Sequence, residues 1–181
     1  MMKVENMLVK DRTCGSCSVC CISLLIDQPT LKKQAGVPCA NLRPQGGCSI
    51  YSDRPLACKT WHCGWRMFPL SPSMRPDISN VLIKYEQENI NFITLSVVRN
   101  KDMSALLNDE VLAFVCSLIS QGVNVALSIP TKKGYENYRD LINARMTDAI
   151  QQRSKRLARE EMEYLIEVFS TQKTNPIKKL S

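Results

Sequence analysis

The sequence contains a single histidine, His62, among its 181 residues. A thiol nucleophile needs a partner base, and His62 is the one imidazole that could serve. We recognise no Ser/His/Asp set and no catalytic carboxylate. The catalytic residues therefore stay unassigned, and the sequence does not predict whether the protein is an enzyme.

Long apolar runs are also missing. The first residues, MMKVENMLVKDRTC, contain no apolar segment of the length found in signal peptides, and no stretch is long enough to cross a bilayer. We therefore expect a cytoplasmic protein without a membrane partner. Internal repeats and low-complexity tracts are absent as well. Cytoplasmic thiols stay reduced, so a dense cysteine pattern there indicates metal binding or catalysis more often than disulfides.

Cysteine is abundant, and eight of the nine cysteines lie between residues 14 and 63. The stretch CGSCSVCC, residues 14–21, contains CxxCxxC followed by an adjacent cysteine. Structural zinc sites take one CxxC pair from each of two loops, with sulfur about 2.3 Å from the ion. Three cysteines in succession are instead typical of bacterial ferredoxins, where a distant cysteine completes the set around a 4Fe–4S cubane. The run favours an iron–sulfur cluster over a lone zinc ion.

The other five cysteines of this region leave the number of sites open. Eight thiolates could form two tetrahedral zinc sites, or one cluster and one zinc site. A disulfide framework is the less favoured interpretation, since adjacent cysteines cannot comfortably bridge each other. The predicted metal ligands are Cys14, Cys17, Cys20, Cys21, Cys39, Cys48, Cys58 and Cys63.

These cysteines also carry a family resemblance. CGSCSVCC, PCANL and GGCSIYSDRPLACKTWHC, in this order, resemble the YkgJ-like cysteine-cluster proteins, a zinc- or iron-chelating family, over residues 14–66. The resemblance implies that the same eight cysteines bind metal or support its ligands. It also suggests a relation to flagellin lysine methylases, but their longer architecture is not recognisable here. Lys59 stands where the family more often has arginine.

Residues beside the cysteines have expected supporting roles. Arg54 is placed to offset the charge of a thiolate cluster, and Pro55 to fix the turn before Cys58. Tyr51, Trp61 and Trp65 are expected to cover the site from water, the two tryptophans as part of a small core. His62 is a less favoured ligand, because eight thiols already fill two four-coordinate sites.

Basic residues give the chain a formal charge of +7 with neutral thiols. Binding of two zinc ions by eight thiolates would lower that charge by four. Residues 131–181 hold eleven Lys or Arg and seven Asp or Glu in alternation, as on a solvated helix. Without a nucleic-acid motif, we do not favour a nucleic-acid partner. A protein partner is not identified by the sequence.

The expected fold is α+β. We predict a cysteine-rich metal-bound module over 1–67, a Pro-rich extended linker over 68–78, and an α+β domain over 79–181. In that domain we expect a hairpin from about Asn80 to Val98, a helix capped at Asp102 or Ser104 and ended by Gly122, and a third strand in VNVALSIP. Cys116 is expected to be buried on this helix.

The last part of the chain is predicted to be helical. Tyr138, Leu141 and Ile142 mark one apolar face, and Met162, Leu165 and others mark another, so residues 135–169 form one long helix or two. The polar run QQRSKRLAREE between them is predicted to be either a bend between two helices or the exposed middle of one.

Two functions fit these features. The first is a metal-binding protein with a cysteine-ligated iron–sulfur or zinc site, in a redox, electron-transfer or accessory role to a modifying enzyme. The second is a zinc-stabilised module that binds protein or nucleic acid without catalytic activity. Beyond the metal ligands, the sequence predicts no cofactor-binding residues.

Overall fold

The computed structural model of the chain describes residues 8–86, 89–98, 101–177 and 179–180. These residues form two compact units. The first, here called the N-terminal unit, extends to Leu82 and also takes in Lys179 and Leu180, and the second unit begins at Ile83. All eight clustered cysteines belong to the N-terminal unit.

Short elements make up the N-terminal unit. In chain order they are α1 (Val19–Ser23), β1 (Ile26–Gln28), β2 (Leu31–Lys33), α2 (Leu56–Thr60), α3 (Gly64–Met67), a 3-10 turn (Pro72–Met74) and α4 (Pro76–Ser79). β1 and β2 form an antiparallel two-stranded sheet that the sequence did not predict. Helices of five residues or fewer are unstable alone. The loops between them are therefore held by other contacts.

Arg12 supplies several of these contacts. Its guanidinium donates hydrogen bonds to the backbone carbonyls of Trp65, Phe68 and Leu70, and it lies 4.5 Å from the centre of the Trp65 ring. The backbone N–H of Val9 donates to the carbonyl of Arg66 at 2.9 Å. The segment before the first cysteine is thus fastened to the segment that follows the last one of the cluster.

Residues 68–78 were predicted to be extended, and this conformation is wrong. This segment contains the turn Pro72–Met74 and most of α4, and Met74 is 3% exposed. Pro72 and Pro76 stand at the first positions of these turns, where proline's fixed φ is helical and its missing N–H has no partner to lose. Two of the three prolines in this stretch therefore start helical turns.

A four-stranded sheet lies in the second unit, apart from Val81 and Leu82 at the start of its first strand. Its strand order is β3 (Val81–Glu86), β4 (Asn89–Val97), β5 (Asn124–Ile129), β6 (Tyr138–Leu141). β4 and β5 are parallel, and β5 and β6 are antiparallel. The mixed helix and sheet composition confirms the predicted class, with one strand more than expected in this sheet. The predicted turn between the first two strands includes residues 87 and 88, which lie outside the described residues.

A helical crossover joins the two parallel strands. The predicted helix is interrupted, because a 3-10 turn (Met103–Leu107) precedes α5 (Asp109–Ser120). Asp102 and Asn108 cap these two elements with their side-chain oxygens. Gly122, with φ +80°, ends α5 as predicted, and the N–H groups of Gly122 and Val123 bond back to Ile119 and Leu118.

The predicted helical run from residue 135 to 169 begins with a strand instead. Tyr138 and Leu141 lie in β6, while α6 (Asn143–Gln151) and α7 (Lys155–Ser170) follow. The polar run does contain a bend, where Arg153 takes φ +49° and Ser154 caps α7. Tyr138 still packs edge-on against Phe169, with ring centres 5.0 Å apart.

The core of the second unit lies between its sheet and its helices. Fully buried side chains come from β5, α5, α6 and α7, among them Ile129, Val111, Met146 and Met162. Charges on α7 are paired as expected of a solvated face, with Arg156 bound to Glu160 at 2.6 Å. Within the described ranges, no helix combines the length and the apolar character needed to cross a membrane.

Candidate metal centre

The first three cysteines are carried by a tight turn and the start of a helix. The N–H of Cys17 donates to the carbonyl of Cys14 at 3.0 Å, and Gly15 between them takes φ +54°. Cys20 and Cys21 follow on α1. The CxxCxxCC block is therefore a compact turn followed by a single helical turn.

A glycine pair packs against this turn. The N–H of Gly47 donates to the Ser18 hydroxyl at 2.8 Å. A Cβ at Gly46 would lie 2.3 Å from the carbonyl oxygen of Ser16, and a Cβ at Gly47 would lie 2.7 Å from that of Gly15. Both glycines also have positive φ. The backbone approach that brings Cys48 to the first cysteine loop therefore requires residues without side chains.

Backbone hydrogen bonds position the middle cysteines. The N–H of Cys39 donates to the carbonyl of Cys21 at 3.0 Å. The N–H of Leu42 donates to the carbonyl of Cys39, and Leu42 pairs with Cys48 in an isolated antiparallel bridge. Cysteines separated by up to 27 positions are thus tied together by the main chain.

The last two cysteines lie at short helices. Pro55 precedes α2 with φ −54°, and its carbonyl accepts the N–H of Cys58 at 2.9 Å. Cys63 precedes α3, and its carbonyl accepts the N–H of Arg66 at 2.9 Å. These helix starts orient the two cysteines relative to the loops that carry the others.

Two cations lie near the cysteines. Lys33 is 6% exposed and donates to the backbone carbonyls of Ile22, Gln34 and Val37 at 3.0–3.2 Å. Burial lowers the Lys33 pKa, while thiolates of nearby cysteines, Cys39 and Cys21 first among them, act in the opposite sense. Arg54 lies 4.0 Å from the centre of the Tyr51 ring.

Hydrogen-bond donors surround other thiols. Backbone N–H groups of Val19 and Asp77 donate to Cys17, yet burial outweighs them and raises the pKa of Cys17 to about 11. Burial likewise raises the pKa of Cys63, against donation from the N–H of Arg66. The Tyr51 hydroxyl donates to the sulfur of Cys14 at 3.7 Å.

Cys20 and Cys21 share a hydrogen bond between their thiols. This bond raises the pKa of Cys20 and lowers the pKa of Cys21 to about 7. Lys33 and Arg54 also favour the Cys21 thiolate. Burial raises the pKa of Cys58, and the negative charges of the Cys21 and Cys39 thiolates raise it further.

Several buried donors of this unit have no hydrogen-bond partner. They are Nε of Arg54, Nε1 of Trp65 and Nε of Arg66, the last on a residue only 9% exposed. Leaving a buried donor unpaired is unfavourable by about 1–3 kcal/mol. The hydroxyl oxygen of Ser23 is a fourth buried polar atom without a partner in this unit. Such N–H groups could donate hydrogen bonds to thiolate or sulfide.

All nine cysteines, each of which the structure describes, are free thiols and half-buried. Among the described residues, however, no three His, Cys, Asp or Glu side chains converge into a group that could hold a metal ion. The eight predicted ligands share one unit, with backbone contacts and electrostatic interactions among them. The donor chemistry fits a thiophilic metal, while convergence of the sulfurs on one point is not present.

Other predicted residues have different surroundings. His62 is 5% exposed and is therefore buried. Cys116 was predicted to be buried, but it is only half-buried. It lines a cavity of about 670 Å³ beside α5, α6 and the start of α7. Tyr51, Trp61 and Trp65 are partly exposed.

Sequence reasoning missed Lys33, Arg12 and Arg66. Lys33 sits in the ordinary polar stretch LKKQ, and nothing in that pattern signals a buried ammonium. Arg12 precedes the cysteines, and Arg66 follows them. A basic residue just outside a cysteine cluster is a weak signal, because most such residues are solvated.

Comparisons with known proteins give no match for this chain among protein-family models, curated proteins or solved structures. The resemblance to YkgJ-like proteins over residues 14–66 therefore stays a prediction.

Proposed function

We propose that the protein binds metal through the cysteines of its N-terminal unit, as an iron–sulfur or zinc protein of the YkgJ-like type. Its role would be redox, electron transfer or support of a modifying enzyme. The observation that carries the proposal is the gathering of eight free, half-buried thiols in one unit of short elements. Such a unit has little apolar core, and metal binding would supply the missing folding free energy.

The buried donors support the iron–sulfur form. Arg54, Trp65 and Arg66 each bury an N–H group without a partner. Hydrogen bonds to cluster sulfur are one way in which proteins set the reduction potential of such centres. A cluster, when bound, would supply one-electron transfer, and these side chains would orient and shield it.

The test is an anaerobic purification followed by a visible spectrum and elemental analysis. We expect a brown protein with broad visible absorption and stoichiometric iron. A colourless protein with stoichiometric zinc would favour the zinc-stabilised binding module instead. A protein with neither metal, unchanged in its unfolding by strong chelators, would contradict metal binding altogether.

A matched pair of variants locates the metal. Cys17→Ser is expected to lose metal and to make residues 14–66 sensitive to protease, because binding and folding are coupled at such sites. Cys116→Ser, in the second unit, is expected to keep the full metal content. Loss of metal in Cys116→Ser would mean that the ligand set is wrong.

A further inference from the structure

The cavity beside α5 lies in the second unit and involves none of the predicted metal ligands. Its walls are one side of α5, the end of α6 and the start of α7, and its volume is about 670 Å³. Every residue that lines it belongs to the second unit. Small-molecule sites in proteins usually have volumes of about 300–1,000 Å³. The cavity therefore has the size of a ligand site.

The cavity exists because small side chains line it on all three helices. Ala113 and Ser117 of α5, Ala149 of α6 and Ala158 of α7 are among them. Larger side chains at these positions would fill the space to the usual density of a protein interior. The most buried lining residues are Leu112, Ala149 and Ala158, which are at most 5% exposed. These three apolar residues form the floor of the cavity.

Positive charge lies at the mouth of the cavity, which we define by Arg153 and Lys155. Both residues line the cavity and are exposed. Neither forms an ion pair with a carboxylate among the residues that the structure describes. Asp109 also lines the cavity, but its carboxylate is bound to Arg159 at 2.8 Å. The mouth is therefore cationic, and a bound anion would supply the missing partner.

The residues at this mouth conflict with local structural preferences. Lys155 and Arg156 begin α7, whose first turn contains no acidic residue, although the start of a helix favours negative charge. Arg153 takes φ +49° just after α6, a position where glycine is usual. The backbone alone would favour glycine there, so the charged side chain is what arginine adds. An anion at the mouth would offset the electrostatic conflict at the start of α7.

We propose that this cavity binds a small organic acid, with its apolar body against the floor and its carboxylate at Arg153 and Lys155. A small inorganic anion would leave the apolar floor uncovered and would gain no hydrophobic contact. A neutral apolar molecule would leave the two cations without a partner, and a cationic amphiphile would be repelled by them. Binding at this site is reversible and requires no metal, so it is independent of the function proposed above.

Three probes separate the apolar and the charged part of the recognition. The full-length protein is titrated with octanoate, octylammonium and acetate in a calorimeter. Octylammonium has a similar chain with the opposite charge, and acetate has the same head group without the chain. We expect saturable binding of octanoate, about 10-fold weaker binding of octylammonium, and no measurable binding of acetate. No saturable binding of octanoate, or equal affinity for octanoate and octylammonium, would overturn the proposal.

Two charge variants locate the carboxylate. Arg153→Gly removes a cation of the mouth and suits the positive φ, so the fold is retained. Arg156→Gln is the matched control, because it removes a charge from the same helix end and the Arg156 guanidinium is bound to Glu160. We expect Arg153→Gly to weaken octanoate binding by about 2–5-fold and Arg156→Gln to leave it unchanged. Equal losses in both variants would mean a general attraction and would overturn the proposal.

Cys116 reports on the cavity directly, because its side chain lines the wall. Octanoate is expected to slow the alkylation of Cys116 by iodoacetamide, measured by mass spectrometry of the peptide that contains it. Ala113→Phe, at an exposed position of α5, places a ring in the cavity and should abolish this protection. Protection that survives Ala113→Phe would place octanoate elsewhere and overturn the proposal. If circular dichroism shows that Ala113→Phe is misfolded, Arg153→Gly with its control decides the question.

Discussion

Gly46 and Gly15 form a matched pair for testing how the cysteine loops are assembled. Both have positive φ, +88° and +54°. A Cβ at Gly15 meets no atom within 4 Å, whereas a Cβ at Gly46 would lie 2.3 Å from the carbonyl oxygen of Ser16. Substitution by alanine therefore separates the backbone penalty, common to both, from the clash, which occurs only at Gly46.

The magnitudes follow from this difference. Alanine in a left-handed conformation is unfavourable by about 1–2 kcal/mol, and this applies to both positions. Relief of the clash at Gly46 requires the Ser16 carbonyl to move by about 1 Å, and overpacking of this kind costs about 1–3 kcal/mol. We therefore expect Gly46→Ala to lower the free energy of unfolding by about 2–5 kcal/mol and Gly15→Ala by about 1–2 kcal/mol.

Tryptophan fluorescence is a suitable assay. Trp61 and Trp65 are the only two tryptophans of the sequence, and both belong to the N-terminal unit. Urea unfolding followed by their emission therefore reports on that unit, and extrapolation gives its free energy of unfolding. Metal content is measured on the same samples. Equal losses in the two variants would refute the close approach of the glycine pair to the first cysteine loop.

Three further predictions concern both units. Lys33→Met is expected to lower the unfolding free energy of the N-terminal unit by about 1–3 kcal/mol, because three backbone carbonyls lose their donor. Lys32→Met, at an exposed position, serves as the control. An equal effect of Lys32→Met would contradict the stabilising role of the buried Lys33 ammonium. Burial raises the pKa of Cys116, so its alkylation in the folded protein should rise at a higher pH than that of a peptide thiol, and a coincident pH profile would contradict this. Ser154→Ala removes the N-terminal cap of α7 and is expected to lower the unfolding free energy of the second unit by about 1 kcal/mol, measured by circular-dichroism melts. Ser170→Ala, at the other end of α7, should have a smaller effect.

Much of the second unit was predictable because its elements have strong local signals. Alternating β-branched residues identified the strands β4 and β5, and apolar spacing with Gly122 identified α5 and its end. The strand β6 was missed because Tyr138, Leu141 and Ile142 happen to have helical spacing. Pairing with β5 in the folded sheet decides their conformation, and a single-sequence pattern does not include it.

The cysteine region was predictable in composition but not in arrangement. The eight thiols could be named from spacing, yet their grouping depends on contacts over long sequence separations, such as Cys39 with Cys21 and Gly47 with Ser18. The burial of Lys33 could not be predicted either, because its three hydrogen-bond acceptors are backbone carbonyls. Every residue has a carbonyl, so side-chain identity carries no information about such partners.

The position of Cys20 next to Cys21 on α1 has a consequence for how independently the two thiols can move. A single peptide unit separates the two thiols, with Cα atoms about 3.8 Å apart. Because both side chains are carried by the same short helix, a rotation of α1 about its axis would move both thiols together. Any change that turns one of these side chains would therefore also alter the hydrogen bond between the two thiols.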